Sequence, residues 1–169
     1  MIILGIDPGY ATIGYGVINF SGGRYRSLEH GAIVTRAGTD FNRRLEILYD
    51  RLLEVMEKHK PACASVEKLF FQNNQKTAIQ VAEARGVILL AAQKSGIPVA
   101  EYTPLQVKSA VTGYGQAQKY QVMEMTRRLL CLSEVPKPDD TADALALAIC
   151  HAQCSRGMQN PLRRLSEKG

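Results

Sequence analysis

A chain of 169 residues, 46% hydrophobic and 22% charged, has the length of one domain with a full core and the balance of an ordinary globular protein. Its 21 Lys and Arg against 16 Asp and Glu leave a formal charge of +5, a modest excess that favours a polyanionic partner. The four cysteines form no CxxC pair and no apolar stretch approaches the roughly 20 residues that span a bilayer, which argues against a zinc site and a membrane protein. Met1 leads straight into the first strand, leaving no room for a signal peptide, so a soluble, cytoplasmic protein with reduced, buried thiols is expected.

The run Ile2-Ile3-Leu4-Gly5-Ile6-Asp7, bounded by Pro8-Gly9, reads as an interior strand covered on both faces. A carboxylate ending such a strand calls for a cation or a phosphate-bearing ligand, because an unpaired charge there is costly. Gly14 to Ile18 follows as a second strand, and Gly22-Gly23 turns the chain into a third that reaches Val34, giving an antiparallel meander. From Phe41 to Lys58, Leu45, Leu48, Leu52 and Met56 recur at helical spacing; Arg43, Arg44, Arg51, Lys58 and Lys60 are expected on the solvated face. Ala62 to Val66 is a second buried strand, and it runs directly into Glu67.

A helix from Gln75 to Lys94 is nearly apolar all round between Gly86 and Ala92, as for a helix packed against more than one neighbour. Gly96 and Pro98 close it before the strand Val99 to Tyr102. Thr103-Pro104-Leu105-Gln106 then supplies a capping threonine, a first-turn proline and a reciprocal glutamine, so a short helix carrying Lys108 begins there. Gly113 to Lys119 is a flexible loop into another helix, striped by Val122, Met125 and Leu129. Pro136 and Pro138 isolate a last helix from Asp139 to about Cys154. Residues 155–169 lack periodicity and are expected to form a mobile polar tail behind a domain of residues 1–154. The order of elements predicts an α/β fold, a mixed sheet flanked by helices on both faces.

Asp7, Glu67, Asp140 and Asp143 arrive from two strand ends and one helix, a hard-oxygen set suited to divalent metal and phosphoryl chemistry. Two ions about 3.5 to 4 Å apart can bridge a phosphate, one activating water and the other stabilising the leaving oxygen. Asp140 and Asp143 share one helix face, whereas either Asp139 or Asp140 could cap the helix; we assign capping to Asp139 and ligation to Asp140. Lys119 combines an ammonium with a helix start behind two glycines, the ingredients of a phosphate site. His151 reads as a structural histidine. Two other readings compete with a nuclease: an actin-like or sugar-kinase-like ATPase, for which the chain is too short, and a DNA-binding module without catalysis, which the four acids oppose.

Five motifs carry a likeness to a known family: Gly5-Ile6-Asp7-Pro8-Gly9 with Gly14-Tyr15-Gly16, Glu67-Lys68-Leu69-Phe70, Gln106-Val107-Lys108, the Gly113 to Lys119 loop, and Asp140-Thr141-Ala142-Asp143. From residue 1 to about 154 the chain resembles the RuvC family of bacterial Holliday junction resolvases, within the ribonuclease H-like superfamily. The resemblance implies a homodimer that binds four-way junction DNA and makes paired nicks in strands of like polarity. It also implies magnesium or manganese held by Asp7, Glu67, Asp140 and Asp143, and a branch-migration helicase complex as partner. Phe70 matches the family's aromatic set against a base near the junction centre; Lys108 and Lys119 match its basic residues near the scissile phosphate.

Overall fold

The structure, a computed structural model, describes residues 1–68 and 77–159. Strands β1 (Ile2–Asp7), β2 (Thr12–Ser21) and β3 (Arg24–Val34) form the expected meander; β4 (Cys63–Glu67) and β5 (Val99–Tyr102) extend the sheet in parallel on the other side of β1. The strand order is β3-β2-β1-β4-β5, so the two strands that end in Asp7 and Glu67 are central neighbours. Helices α1 (Phe41–His59) and α2 (Ala78–Lys94) pack on one face, around Leu4, Ile6 and Val17. Helices α3 (Pro104–Thr112), α4 (Lys119–Leu129) and α5 (Asp139–Gln159) cover the other, around Ile3, Ile18 and Leu145. Adjacent residues of β1 thus feed opposite cores, which is why its apolar run is nearly continuous rather than alternating.

Local signals behave as expected at several points. Thr103 and Gln106 make the reciprocal capping box at the start of α3, with Pro104 in its first turn, and Gly113 ends that helix in the left-handed conformation. Elsewhere tertiary packing overrides the pattern. Arg44, expected in solvent, is buried, because its side chain folds under the β3–α1 connection and donates to the carbonyl oxygens of Thr39 and Arg36. Helix α5 runs on to Gln159 rather than stopping near Cys154. Of the thiols, Cys63 and Cys150 are buried, but Cys131 is exposed, contrary to expectation. Among the described residues no helix is long and apolar enough to cross a membrane.

Three glycines set how closely α5 lies on the sheet. A Cβ at Gly5 would overlap the carbonyl oxygen of Ala144, one at Gly14 the carbonyl oxygen of Asp140, and one at Gly16 the side chain of Leu145. Gly14 lies opposite Asp7 in the β1–β2 register, so the approach of Asp140 to Gly14 brings the first turn of α5 over Asp7. Gly5→Ala or Gly14→Ala is therefore expected to destabilise the chain by about 1–3 kcal/mol or more through overpacking against backbone. Urea unfolding checks this, as a lowered midpoint at an unchanged m-value.

Candidate active site

Asp7 and Glu67 leave the sheet side by side because β1 and β4 are parallel and in register, Ile6 opposite Val66. Asp143 comes down from α5, and together the three carboxylates line a cavity of about 250 Å³. Lys108 of α3 and Lys119 at the start of α4 line the same cavity, and Pro104, Val107, Val122 and Leu147 give it an apolar wall. Of the residues singled out in the sequence, the fold thus gathers Asp7, Glu67, Asp143, Lys108 and Lys119 in one place. Asp140 sits half-buried at the rim, outside the cavity lining but close enough for its charge to act on Asp7 and Asp143. Phe70 falls outside the described residues.

The electrostatics follow from this crowding. Burial, then the negative charges of Glu67, Asp143 and Asp140, push the Asp7 carboxyl well above its ordinary range. Glu67 is raised by burial and by Asp143. Asp143 is raised by burial, although Lys119 pulls it back. The Lys119 ammonium is 3.0 Å from Asp143 Oδ2 and 3.4 Å from Asp139 Oδ2. Burial opposes that ammonium, but the two aspartates outweigh it and raise its pKa. Lys119 is thus the counterion of the cluster. Asp139, assigned to capping, is instead the first residue of α5, and its carboxylate pairs with Lys119. The apolar wall escaped notice in the sequence, since Val107, Val122 and Leu147 carry the same helical spacing as any core residue.

The donor set consists of carboxylate oxygens, the ligands that magnesium and manganese favour, and its excess negative charge suits a divalent cation. Among the described residues, no three carboxylate, imidazole or thiol side chains stand in an arrangement that would hold a metal ion as they are. In this arrangement the Asp143 carboxylate is engaged by the Lys119 ammonium. Away from the cavity, His151 Nδ1 lies 2.8 Å from the Tyr102 hydroxyl, the structural role expected of it. Burial pushes the Cys63 thiol up to about 11, as for an unreactive core cysteine.

Comparison with known proteins identifies the family. Residues 3–151 match the family described as crossover junction endodeoxyribonuclease RuvC. The protein of that name from Desulforamulus reducens is 56% identical over 155 residues, covering 92% of this chain and 95% of its own. The Thermus thermophilus RuvC structure superposes with a TM-score of 0.86 at 38% identity, over 92% of this chain and 96% of that one. A second structure, T. thermophilus RuvC in complex with Holliday junction substrate, gives 0.84 at 36% identity over the same shares. On these matches the chain belongs to the RuvC family of crossover junction endodeoxyribonucleases.

Proposed function

We propose that this chain is a divalent-metal-dependent endonuclease that resolves four-way DNA junctions by paired nicks in strands of like polarity, with Asp7, Glu67, Asp140 and Asp143 as its metal-binding carboxylates. One observation carries the assignment of the site: Asp7, Glu67 and Asp143 line a single cavity with two lysines, where their mutual repulsion asks for a cation. Magnesium is the ion expected, with manganese able to replace it, two per site. Such ions, when bound, lower the pKa of an attacking water and stabilise the leaving 3′ oxygen.

The remaining steps belong to the chain. Asp7 and Glu67, fixed by adjacent strands, give the ligand set its rigid half. Asp143 and Asp140 complete it from the first turns of α5. Lys119, paired with Asp143 here, would be available to the phosphate if Asp143 held a metal. Lys108, across the cavity, offers a second ammonium. The apolar wall of Val107, Val122 and Leu147 thins the water around the phosphate and strengthens these charge interactions. The paired cuts require two equivalent sites, hence a two-fold homodimer. The helicase complex expected of the family is part of the same proposal, carried by family membership alone.

The dimer contact is best placed on the outward face of α2. Ile88, within the apolar stretch, is fully buried in the chain's own core, so it is unsuited to a partner. Ile79 and Leu90 instead stand 70% and 54% exposed, with exposed Gly86 between them on the same face. Leu90→Glu should yield a folded monomer in sedimentation and abolish paired nicking. Retention of the dimer would move the contact elsewhere.

Replacing Asp7, Glu67, Asp140 or Asp143 by the matching amide should leave junction affinity unchanged or improved, since a negative charge is removed. Cleavage with magnesium should fall by several kcal/mol of transition-state stabilisation, on the order of 10³-fold or more. Asp139→Asn should keep cleaving, because Asp139 is exposed, whereas the half-buried Asp140 is among the charges that act on Asp7. Gel-shift and cleavage assays on one junction separate the two effects. Loss of activity in Asp139→Asn with retention in Asp140→Asn would shift the fourth ligand by one residue.

The raised carboxyls make a further prediction about the metal-free chain. A carboxyl whose folded pKa exceeds its unfolded one contributes stability that is full below the unfolded pKa and is lost as pH rises through the folded one. Asp7, Glu67 and Asp143 all shift in that direction, so at neutral pH their ionisation weakens the metal-free fold. Asp7→Asn is expected to raise Tm in EDTA at pH 7 by about 2–4 °C, equivalent to about 1 kcal/mol. The gain should shrink as pH falls, and magnesium should stabilise the parent alone. A lower Tm for Asp7→Asn at pH 7 would contradict the repulsion described above.

A further inference from the structure

The turn between β1 and β2, which follows Asp7 directly, is constructed around one aromatic ring. Thr35 closes the turn from β3, its amide and its hydroxyl donating to the Ala11 carbonyl oxygen at 3.1 and 3.3 Å. Tyr10, within the turn, lies nearly parallel to Phe41, with ring centroids 6.1 Å apart and planes at 14°. The Arg44 guanidinium carbon is 5.0 Å from the centre of the same ring. Phe41 and Arg44 are three residues apart on α1, hence neighbours on one helix face, and both support the ring from that side. The ring still leaves Tyr10 39% exposed.

The support is costly. Arg44 is only 8% exposed; its Nε donates to Thr39 O at 3.1 Å and one Nη to Arg36 O at 3.2 Å. Its other Nη has no hydrogen-bond partner, and no carboxylate pairs with it among the described residues. Two of its donors anchor the β3–α1 connection, which leaves the unpaired N–H group unexplained, and holding the β1–β2 turn closed does not require it, because Thr35 already does so. A rigid, half-open aromatic face beside a catalytic strand end, backed by an uncompensated positive charge, fits a nucleotide: the ring meets the base or sugar, and the charge favours the phosphates.

We propose that Tyr10 is a substrate-contacting residue, its open face stacking on a nucleotide of the DNA strand cut at the Asp7 site, with Phe41 and Arg44 as the residues that position it. This rests on the junction-nuclease reading. The guanidinium is needed for its planar fork, which bonds two carbonyl groups while lying against the ring, and a lysine cannot do both.

The test compares the full chain with Tyr10→Ala, Tyr10→Phe, Arg44→Lys and the double variant Tyr10→Ala/Arg44→Lys in magnesium-dependent cleavage of a four-way junction. Tyr10→Ala should lower kcat/KM on the order of 10-fold or more, the loss of one base-stacking contact. Tyr10→Phe should recover most of the rate, Arg44→Lys should fall with Tyr10→Ala, and the double variant should be no worse than either, as for residues acting as a unit. Without metal, a junction carrying 2-aminopurine beside the scissile phosphate should be quenched by the parent and by Tyr10→Phe, but not by Tyr10→Ala. If Tyr10→Ala does not fold, Tyr10→Leu takes its place. Parent-like cleavage and quenching by the ring-less variant overturn the proposal, and so does a rate loss with full quenching, which would make the ring a structural support only. A parent that leaves the junction uncut overturns the nuclease reading, and this inference with it.

Discussion

The contact on which the site depends is the close approach of α5 to β1 and β2. Helices normally rest on a sheet at the distance set by intervening side chains. Here Gly5, Gly14 and Gly16 remove those side chains on the sheet, and Ala144 and Ala148 keep the facing helix small. The backbone of α5 is thereby lowered onto the strands, and its first turns come within electrostatic reach of Asp7. With ordinary side chains at those glycines, the acids of the helix and those of the strands would stand apart. The carboxylate cluster is thus a product of what is missing from the sheet as much as of the acids.

Such a cluster opposes its own folding. Three half-buried carboxylates share a small cavity, and the ammonium of Lys119, held by Asp143 and Asp139, offsets part of their charge. That counterion comes from a separate helix, α4, rather than from the strands or helix that carry the acids. Stability and reactivity draw on the same unsatisfied charge. A divalent cation bound as proposed would relieve a repulsion already present.

Much of this was legible in the sequence, for identifiable reasons. Asp7 and Glu67 stood out because each ends an apolar strand, where an acid has no structural purpose. The start of α3 was legible because Thr103, Pro104 and Gln106 act locally. Arg44 was misread because a long side chain on a polar helix face can fold back under a loop that only the tertiary structure brings near. The same holds for Asp139: its pairing with Lys119 joins two helices, and no local pattern announces it. Which side of α2 meets its own sheet was not legible, because an all-apolar stretch does not announce it; the structure buries Ile88 there. The end of α5 was set short because its last turns lose their apolar period before they lose their helical backbone.

The sheet has two open borders, and their character limits how copies of the chain can associate. At one border β3 is eleven residues long, long enough to template another strand, yet it carries Arg24, Arg26, Glu29 and His30 and is irregular in register where its partner passes from Val17 to Ile18. At the other, β5 offers only four residues before the chain turns into α3. Charge and irregularity on one edge and brevity on the other are the devices by which β-proteins resist strand-to-strand addition. Growth of the sheet into a continuous ribbon is therefore disfavoured at both ends, which leaves the helix surfaces, where the proposed two-fold contact lies, for any association of copies.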